Sequence, residues 1–211
     1  MNIRKGKFVV FEGGEGSGKD TVIAAIREKY ADRNDLVFTR EPGGTLAGEN
    51  IRAFLMARKS QGMDAKAELF LFLAARAQLL AEVIIPALCT GKVVVCNRFS
   101  LSTIAYQGYG RELRAFLPFL YEAQTFLVGQ WDPDITIFLD VSPRVGLARV
   151  CGRGEEMTRF DEEDTAFHER VRTGFLVEGR KKADSFVIIN ADEPLELVQQ
   201  QVFSVFNKYY K

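Results

Sequence analysis

A glycine-rich segment near the start of the chain has the residue types that bind a phosphate chain. It runs Gly13-Gly14-Glu15-Gly16-Ser17-Gly18-Lys19-Asp20-Thr21 and directly follows an apolar, β-rich run. Glycines here allow a loop whose backbone N–H groups converge on phosphate oxygens, with the positive end of the next helix behind them. Lys19 would place a point charge at the β- and γ-phosphates. The segment therefore predicts ATP binding by residues 13–21; the alternative is a glycine-rich turn that binds nothing.

The residue after Lys19 departs from this phosphate-binding pattern. Ser or Thr is expected there, because its hydroxyl ligates Mg²⁺, whereas this chain has Asp20. A bare carboxylate would repel the phosphates unless a cation lay between them. The departure therefore points to Mg²⁺ as the cofactor, with Asp20 close to it.

Alternating strands and helices must position these residues. The sequence predicts five short strands at Lys7–Phe11, Leu36–Thr39, Val93–Cys96, Thr136–Leu139 and Ser185–Ile189. Helical spacing of apolar residues predicts helices at Lys19–Tyr30, Glu49–Met56, Ala65–Leu88, Leu113–Val128, Val145–Val150, Glu163–Ala183 and Leu195–Tyr209. This alternation indicates an α/β fold with a five-stranded parallel sheet and helices on both faces. The glycine-rich segment after the first strand makes it of the P-loop NTPase type. Ligands of such folds bind at the carboxyl ends of the strands.

Length and composition fit one globular domain over residues 1–211. The chain is 47% hydrophobic and has 28 basic and 28 acidic side chains, so no basic footprint for nucleic acid is expected. The sequence contains no uninterrupted run of about 18 apolar residues, so no membrane-spanning helix is expected. Cys89, Cys96 and Cys151 lack metal-ligand spacing, and we expect reduced, mostly buried thiols in a cytoplasmic protein. His168 is expected to be a solvated helix residue.

Two side chains on the long third helix could recognise a nucleotide base. Phe72 and Arg76 lie four positions apart, hence on one helix face. An aromatic ring there could stack on a base, and a guanidinium could donate to a base carbonyl. The alternative is that Phe72 belongs to the core and Arg76 is solvated.

Further motifs follow the second and third strands. They are Arg40-Glu41-Pro42-Gly43-Gly44-Thr45, Asn97-Arg98-Phe99 and Ala105-Tyr106-Gln107-Gly108. Together with the phosphate loop, these segments resemble bacterial thymidylate kinases over nearly the whole chain. The first and last are specific in combination, and either alone would be weak.

The resemblance implies phosphorylation of dTMP to dTDP by ATP and Mg²⁺, in dTTP synthesis, by a homodimer. It implies that Phe72 stacks on thymine, that Arg76 donates to the pyrimidine O4, and that Thr103 and Gln107 line the base. Tyr106 would lie under the deoxyribose. The remaining substrate-binding residues implied are Glu15 at the sugar 3′-hydroxyl, Arg98 and Arg52 around the monophosphate, and Arg40 as a weaker candidate. The Glu41–Pro42 peptide is expected to be cis.

Transfer of the phosphoryl group requires a positive charge near the leaving oxygen. Some thymidylate kinases have an arginine in the phosphate loop for this, but that position is Gly16 here. This chain resembles the type that supplies the arginine from a short mobile lid, here at about residues 150–160. Arg153, between Gly152 and Gly154, is the first candidate, with Arg149 and Arg159 nearby; the alternative is a solvated arginine on a loose loop. Catalytic roles are therefore expected for Lys19, Arg98 and Arg153.

A second departure concerns the metal. The family has Asp before the arginine of the third-strand motif, where it holds Mg²⁺ through water, and this chain has Asn97. We expect that the carboxylate has moved to Asp20, since the net charge of the pair is unchanged. The opposing hypothesis is a damaged metal site. Asp140, at the end of the fourth strand, is a further but weaker candidate ligand.

Two other functions stay open. A kinase for another pyrimidine deoxynucleoside monophosphate, such as dUMP, differs only by a methyl group worth about 1 kcal/mol of apolar burial. A catalytically weak nucleotide-binding protein would explain the altered metal site. A P-loop ATPase motor is disfavoured, because it would leave Phe72, Arg76 and Gln107 unexplained.

Overall fold

The computed structural model describes residues 5–154 and 156–210, and its centre is a parallel β-sheet. The strands are β1 Lys7–Gly13, β2 Leu36–Arg40, β3 Val93–Asn97, β4 Ile135–Asp140 and β5 Phe186–Asn190. They are ordered β2-β3-β1-β4-β5, and every neighbouring pair is parallel. All five predicted strands are confirmed. The order reverses next to β1, so a crevice opens at the carboxyl ends of β1 and β3.

Helices connect the strands. They are α1 Lys19–Lys29, α2 Leu46–Met56, α3 Ala65–Leu79, α4 Ile85–Cys89, α5 Ser100–Thr103, α6 Leu117–Val128, α7 Pro143–Gly152, α8 Thr165–Arg180 and α9 Leu195–Tyr209. Two π-helical segments, Leu80–Ile84 and Ile104–Gly110, extend α3 and α5. Pro86 lies in the first turn of α4 and has no N–H to donate, which explains the wider turn before it. The predicted helix Ala65–Leu88 is thus continuous but not uniform, and the helical segment after β3 was not predicted.

The sheet has apolar side chains on both faces, and helices cover both. On β1, Val9 and Phe11 pack in the cluster that includes α1 and α9 residues, whereas Phe8 and Val10 pack in the cluster that includes α3 and α4 residues. These four side chains are at most 1% exposed. A strand buried on both sides gives a continuous apolar run, as in its sequence.

The continuous helical stretch Ala65–Cys89 is long and apolar enough to cross a membrane by length and composition, since an 18-residue window within it has a mean hydropathy of 1.8. Its residues Leu79, Leu80, Ile84 and Leu88 pack against β1 and β3 in the interior. A core helix passes the same test of length and hydropathy, and the packing agrees with that explanation.

Two expectations about single residues were wrong. His168 lies on α8 as predicted, but it is buried at 5% exposure, because α8 packs closely on the Ile104–Gly110 segment. The thiols are free, yet only Cys96 is buried, while Cys89 is half-buried and Cys151 is exposed near the end of α7.

Candidate active site

The phosphate loop, residues 13–18, joins β1 to α1 at the open crevice. Lys19, the first residue of α1, donates to the carbonyl oxygens of Gly13 at 3.0 Å and Gly14 at 2.9 Å, and to the Ser17 hydroxyl at 3.0 Å. Burial, and secondarily the positive charge of Arg98, lower the pKa of Lys19 to about 7. The side chain of Lys19, the predicted phosphate-binding residue, therefore lies over the loop, and its hydrogen-bond acceptors there are two backbone carbonyl oxygens and a hydroxyl, none of them charged.

Gly16 in this loop must be glycine. Its φ is +67°, and a Cβ atom would lie 2.0 Å from the carbonyl oxygen of Gly146 on α7. The loop and α7 are thus in direct backbone contact. A side chain at this position, arginine included, does not fit.

The structure brings Asp20 and Asn97 together from α1 and the end of β3. The Asn97 Nδ2 donates to Asp20 Oδ1 at 2.8 Å. The Asn97 Oδ1 is buried and accepts no hydrogen bond. Within residues 5–154 and 156–210, no three His, Cys, Asp or Glu side chains cluster as a protein-only metal cage. Magnesium rarely uses such a cage, because it keeps several waters and binds one or two carboxylates plus phosphate oxygens.

Arg98 lies where β1 and β3 end. Its backbone has φ +68°, a left-handed conformation that aims the side chain back over the phosphate loop. The guanidinium donates to the Gly13 carbonyl oxygen and to Glu15 Oε1, both at 2.8 Å. Tyr106 donates to the same Glu15 oxygen at 2.7 Å. Burial alone would raise the pKa of Glu15, but the charges of Arg98 and Lys19 prevail and hold it at about 2.

Glu12, on β1, holds the chain segment that follows Arg98. Its buried carboxylate accepts from the backbone N–H groups of Phe99 and Ser102, at 2.9 and 3.0 Å, and from the Ser102 hydroxyl. It therefore caps the start of α5 and fixes the turn in which Arg98 lies. Desolvation by burial raises the pKa of Glu12.

Beside the phosphate loop lies a cavity of about 230 Å³, which we call the aromatic cavity. The predicted base-binding and sugar-binding residues Phe72, Arg76, Thr103, Tyr106 and Gln107 all line it. The alternative for Arg76 is wrong, since its side chain is 1% exposed. Phe72 is half-buried, so it belongs partly to the core and partly to the cavity.

Arg76 is held by protein partners. It forms a buried, multiply bonded pair with Glu41, donates to Gln124 Oε1 at 3.0 Å and donates to Thr103 Oγ1 at 2.9 Å. These bonds use most of its five N–H groups and fix the guanidinium plane at the cavity wall. The Glu41–Pro42 peptide is cis, as expected.

A polar cavity above the phosphate loop adjoins the aromatic cavity. Arg52, Arg98 and Arg153 line both of them, whereas Arg40 lines only the polar cavity. Arg52 donates to the Pro42 carbonyl oxygen at 3.2 Å, and Arg40 pairs with Glu49 at 2.8 Å. A dianion at the junction would therefore face Arg52 and Arg98, and Arg40 is farther from it.

The three arginines of the predicted lid have different environments. Arg149 donates to the Ala191 carbonyl oxygen at 2.8 Å, and Arg159 is buried in an ion pair with Glu68 at 2.7 Å. Arg153 is exposed at the end of α7 and lines both cavities. The segment begins inside α7, which extends to Gly152. Glu155 lies outside the described residues.

Several residues of the site were not anticipated. Glu41 and Glu68 are buried carboxylates that hold Arg76 and Gln107, and Phe160 adds a second aromatic wall. An acidic residue on an apolar helix, as at position 68, was a usable signal. Asp140 is not at the loop, because it pairs with Arg172 of α8 at 2.6 and 3.0 Å.

Comparisons with known proteins agree with this geometry. The family model described as thymidylate kinase matches residues 11–202. The thymidylate kinase of Desulfovibrio desulfuricans is 44% identical, over 97% of this chain and 96% of that protein, and that of Bacillus thuringiensis is 41% identical, over 95% and 97%. The crystal structure of thymidylate kinase from Ehrlichia chaffeensis superposes with a TM-score of 0.77 at 33% identity, covering 96% of this chain and 98% of that one. With its parallel sheet, phosphate loop and aromatic cavity, this chain belongs to the thymidylate kinase family.

Proposed function

We propose that this chain phosphorylates dTMP to dTDP with ATP as the donor, and that the junction of its two cavities is where the phosphoryl group moves. The observation that supports this most directly is that Arg52, Arg98 and Arg153 line both cavities. An acceptor phosphate and a donor γ-phosphate placed on either side would share these cations. Positioning and charge neutralisation are the main requirements of phosphoryl transfer.

The acceptor nucleotide occupies the aromatic cavity. Phe72 stacks on the pyrimidine, and Arg76 donates to its O4 with the N–H that Glu41, Gln124 and Thr103 leave available. Thr103 and Gln107 line the base edge. Phe72 and Phe160 are both aromatic walls of this cavity of about 230 Å³.

The sugar and the phosphate of the acceptor meet a charged group of residues. Glu15, whose pKa is held at about 2, stays ionised and accepts from the sugar 3′-hydroxyl, while Tyr106 packs against the deoxyribose. Arg98 and Arg52 form the charge-assisted clamp on the monophosphate. Arg40, engaged with Glu49, contributes at longer range.

The donor triphosphate lies on residues 13–21, with Lys19 at the β- and γ-phosphates. Arg153 is the arginine that neutralises charge in the transition state. Three observations support Arg153 over the alternatives. Gly16 has no room for a side chain. Arg159 is paired with Glu68, and Arg149 donates to the Ala191 carbonyl oxygen.

Asp20 and Asn97 are the residues that fit Mg²⁺. Asp20 offers a carboxylate, and the buried Asn97 Oδ1 is an oxygen ligand without a hydrogen-bond donor. Mg²⁺ held by Asp20 and Asn97 would supply charge neutralisation to the donor phosphates. The intact arginine and lysine set around the pair favours a relocated carboxylate over a damaged site.

A coupled assay of ADP release against dTMP, dUMP, dCMP, dAMP and dGMP tests the proposal. We expect the highest kcat/KM for dTMP, with dUMP lower by roughly the value of one buried methyl group, about tenfold at most. Equal rates for purine and pyrimidine monophosphates, or no turnover in excess Mg²⁺, would exclude it. The family membership does not favour the dUMP kinase or the inactive binding protein.

Homodimerisation and a cytoplasmic location, without nucleic acid or membrane partners, stay predictions. Phe70 on α3 and Phe119 on α6 are 57% and 40% exposed with ring centroids 5.9 Å apart, and Phe126 on α6 is 87% exposed. Such an aromatic patch suits a second copy of the chain. Light scattering of the wild type and of Phe70→Glu would test it; a monomeric wild type would contradict the prediction.

A further inference from the structure

Glu68 is a carboxylate in the interior to which the reaction assigns no role. It lies on α3 and is 0% exposed. A buried carboxylate is retained only if its oxygens are well satisfied. Here Oε2 is 2.7 Å from Arg159 Nη2 and accepts from Arg111 Nη2 at 3.2 Å, and Oε1 accepts from Arg111 Nε at 3.3 Å. Glu68 thus forms ion pairs with two guanidinium groups and accepts hydrogen bonds from that of Arg111.

The carboxylate also contacts the aromatic cavity through Gln107. The Gln107 Nε2 donates to Glu68 Oε1 at 2.8 Å. Because a carboxylate surrounded by arginines can only accept, it must face the nitrogen end of the amide and not the oxygen end. Glu68 therefore determines which way round the Gln107 amide lies.

The oxygen end of the same amide is unpaired. Gln107 is 1% exposed and lines the aromatic cavity, yet its Oε1 accepts no hydrogen bond. An orphaned buried acceptor is costly, and a ligand that donates to it recovers that cost. The position calls for a donor on the nucleotide.

We propose that Glu68 is a specificity-determining residue: it holds Gln107 with its oxygen toward the base, so that the site selects pyrimidines with an N–H at ring position 3. Thymine and uracil have that hydrogen, whereas cytosine has a bare acceptor nitrogen. Two facing acceptors repel and leave both groups unpaired. This inference rests on the proposed function, since it assumes that the base lies in the aromatic cavity.

Glu68→Gln is the direct test. Oxygen stays at the Oε2 position, which faces the Nη2 atoms of both arginines at 2.7 and 3.2 Å. The new amide nitrogen therefore falls at the Oε1 position, where it gives up only the longer 3.3 Å bond from Arg111 Nε and donates to position 107. Gln107 must then turn over and present its own nitrogen to the base. The compared substrates are dTMP and 5-methyl-dCMP, which share the methyl group, the sugar and the phosphate. The two also differ at ring position 4, where dTMP has a carbonyl oxygen and 5-methyl-dCMP has an amino group. That difference is the same for every variant, so it does not alter how the ratio changes between variants.

The measured quantity is the ratio of kcat/KM for dTMP to that for 5-methyl-dCMP. We expect Glu68→Gln to lower this ratio roughly 10- to 100-fold. Adding Gln107→Glu should restore it to within about threefold of wild type, because the carboxylate introduced at position 107 accepts from the amide introduced at position 68 and leaves an acceptor for the base. The matched control Glu163→Gln removes another carboxylate from Arg111 that does not contact Gln107, and its ratio should equal that of wild type.

Equal losses on both substrates in Glu68→Gln, with an unchanged ratio, would overturn the inference and leave Glu68 a packing residue. If Glu68→Gln does not fold, NMR of wild type with bound dTMP decides. A slowly exchanging, downfield imino proton at N3 supports an oxygen acceptor, and its absence contradicts one. A wild type that does not phosphorylate dTMP would instead refute the proposed function, so the two failures are distinguishable.

Discussion

The Asn97 side-chain amide donates to Asp20 Oδ1 at 2.8 Å, across the gap between the end of β3 and the start of α1. The pair places one negative charge and one free amide oxygen at the edge of the phosphate loop. A carboxylate on α1 thus lies beside the strand position at which the family's carboxylate is expected.

Exchanging the two residues tests the relocated carboxylate. Asp20→Ser removes the charge, so we expect it to lower kcat and Mn²⁺ affinity about 10- to 100-fold. Asn97→Asp adds a second carboxylate, which should not weaken Mn²⁺ binding, but we expect it to lower kcat about 10- to 100-fold by holding the ion away from the phosphates. The double variant should recover to within about fivefold of wild type. Steady-state kinetics and Mn²⁺ titration by EPR with a nonhydrolysable ATP analogue measure both effects. Additive losses in the double variant would contradict relocation.

Nucleotide binding should change the protonation of Lys19. Its pKa of about 7 in the free protein lies well below the usual 10.5, because burial and Arg98 disfavour the charged form. Phosphates favour that form and raise the pKa, so MgATP binding at pH 8 should take up close to one proton, and binding at pH 6 almost none. Calorimetry in buffers of different ionisation enthalpy measures the uptake. Lys19→Arg is the control, and the same uptake there would refute the assignment.

Variants of Arg76 and Glu41 should show different effects on the stability of the protein and on its binding of dTMP. Arg76→Met leaves the Glu41 carboxylate buried and unpaired, and we expect a loss of about 3–5 kcal/mol in the free energy of unfolding. Adding Glu41→Leu replaces the pair with apolar groups and should recover most of this loss. Neither variant should bind dTMP well, because the donor to O4 is gone. Denaturant melts and dTMP calorimetry are the measurements; restored binding in the double variant would remove Arg76 from the base site.

Arg153 should affect the chemical step more than acceptor binding. Arg153→Ala is expected to lower kcat about 100- to 1,000-fold, with the KM for dTMP changed less than about threefold. Arg144→Ala removes an exposed arginine from the other end of the same helix and should have little effect. A rise in KM at constant kcat would instead make Arg153 a binding residue.

The five strands, which were predicted from local sequence, were confirmed. A strand buried on both faces needs a continuous apolar run, and a phosphate loop needs glycines at set intervals, so β1 and residues 13–18 were evident without coordinates. The helical segment after β3 was missed, because its sequence Ser-Leu-Ser-Thr-Ile-Ala-Tyr-Gln-Gly-Tyr-Gly lacks an amphipathic pattern. That segment is buried on most sides, so no polar face marks it.

By itself, the sequence determined the fold class, the phosphate loop, the order of the motifs and the family resemblance, since each depends on residues close together in the chain. Only the tertiary structure showed that Glu68 accepts a hydrogen bond from Gln107 and that His168 is buried. It also showed that Arg159 is held in an ion pair, whereas Arg153 lines both cavities. Glu68 and Arg159 are 91 positions apart in the sequence. Such pairings arise when helices and strands pack, and the geometry of packing leaves no periodic trace in the chain.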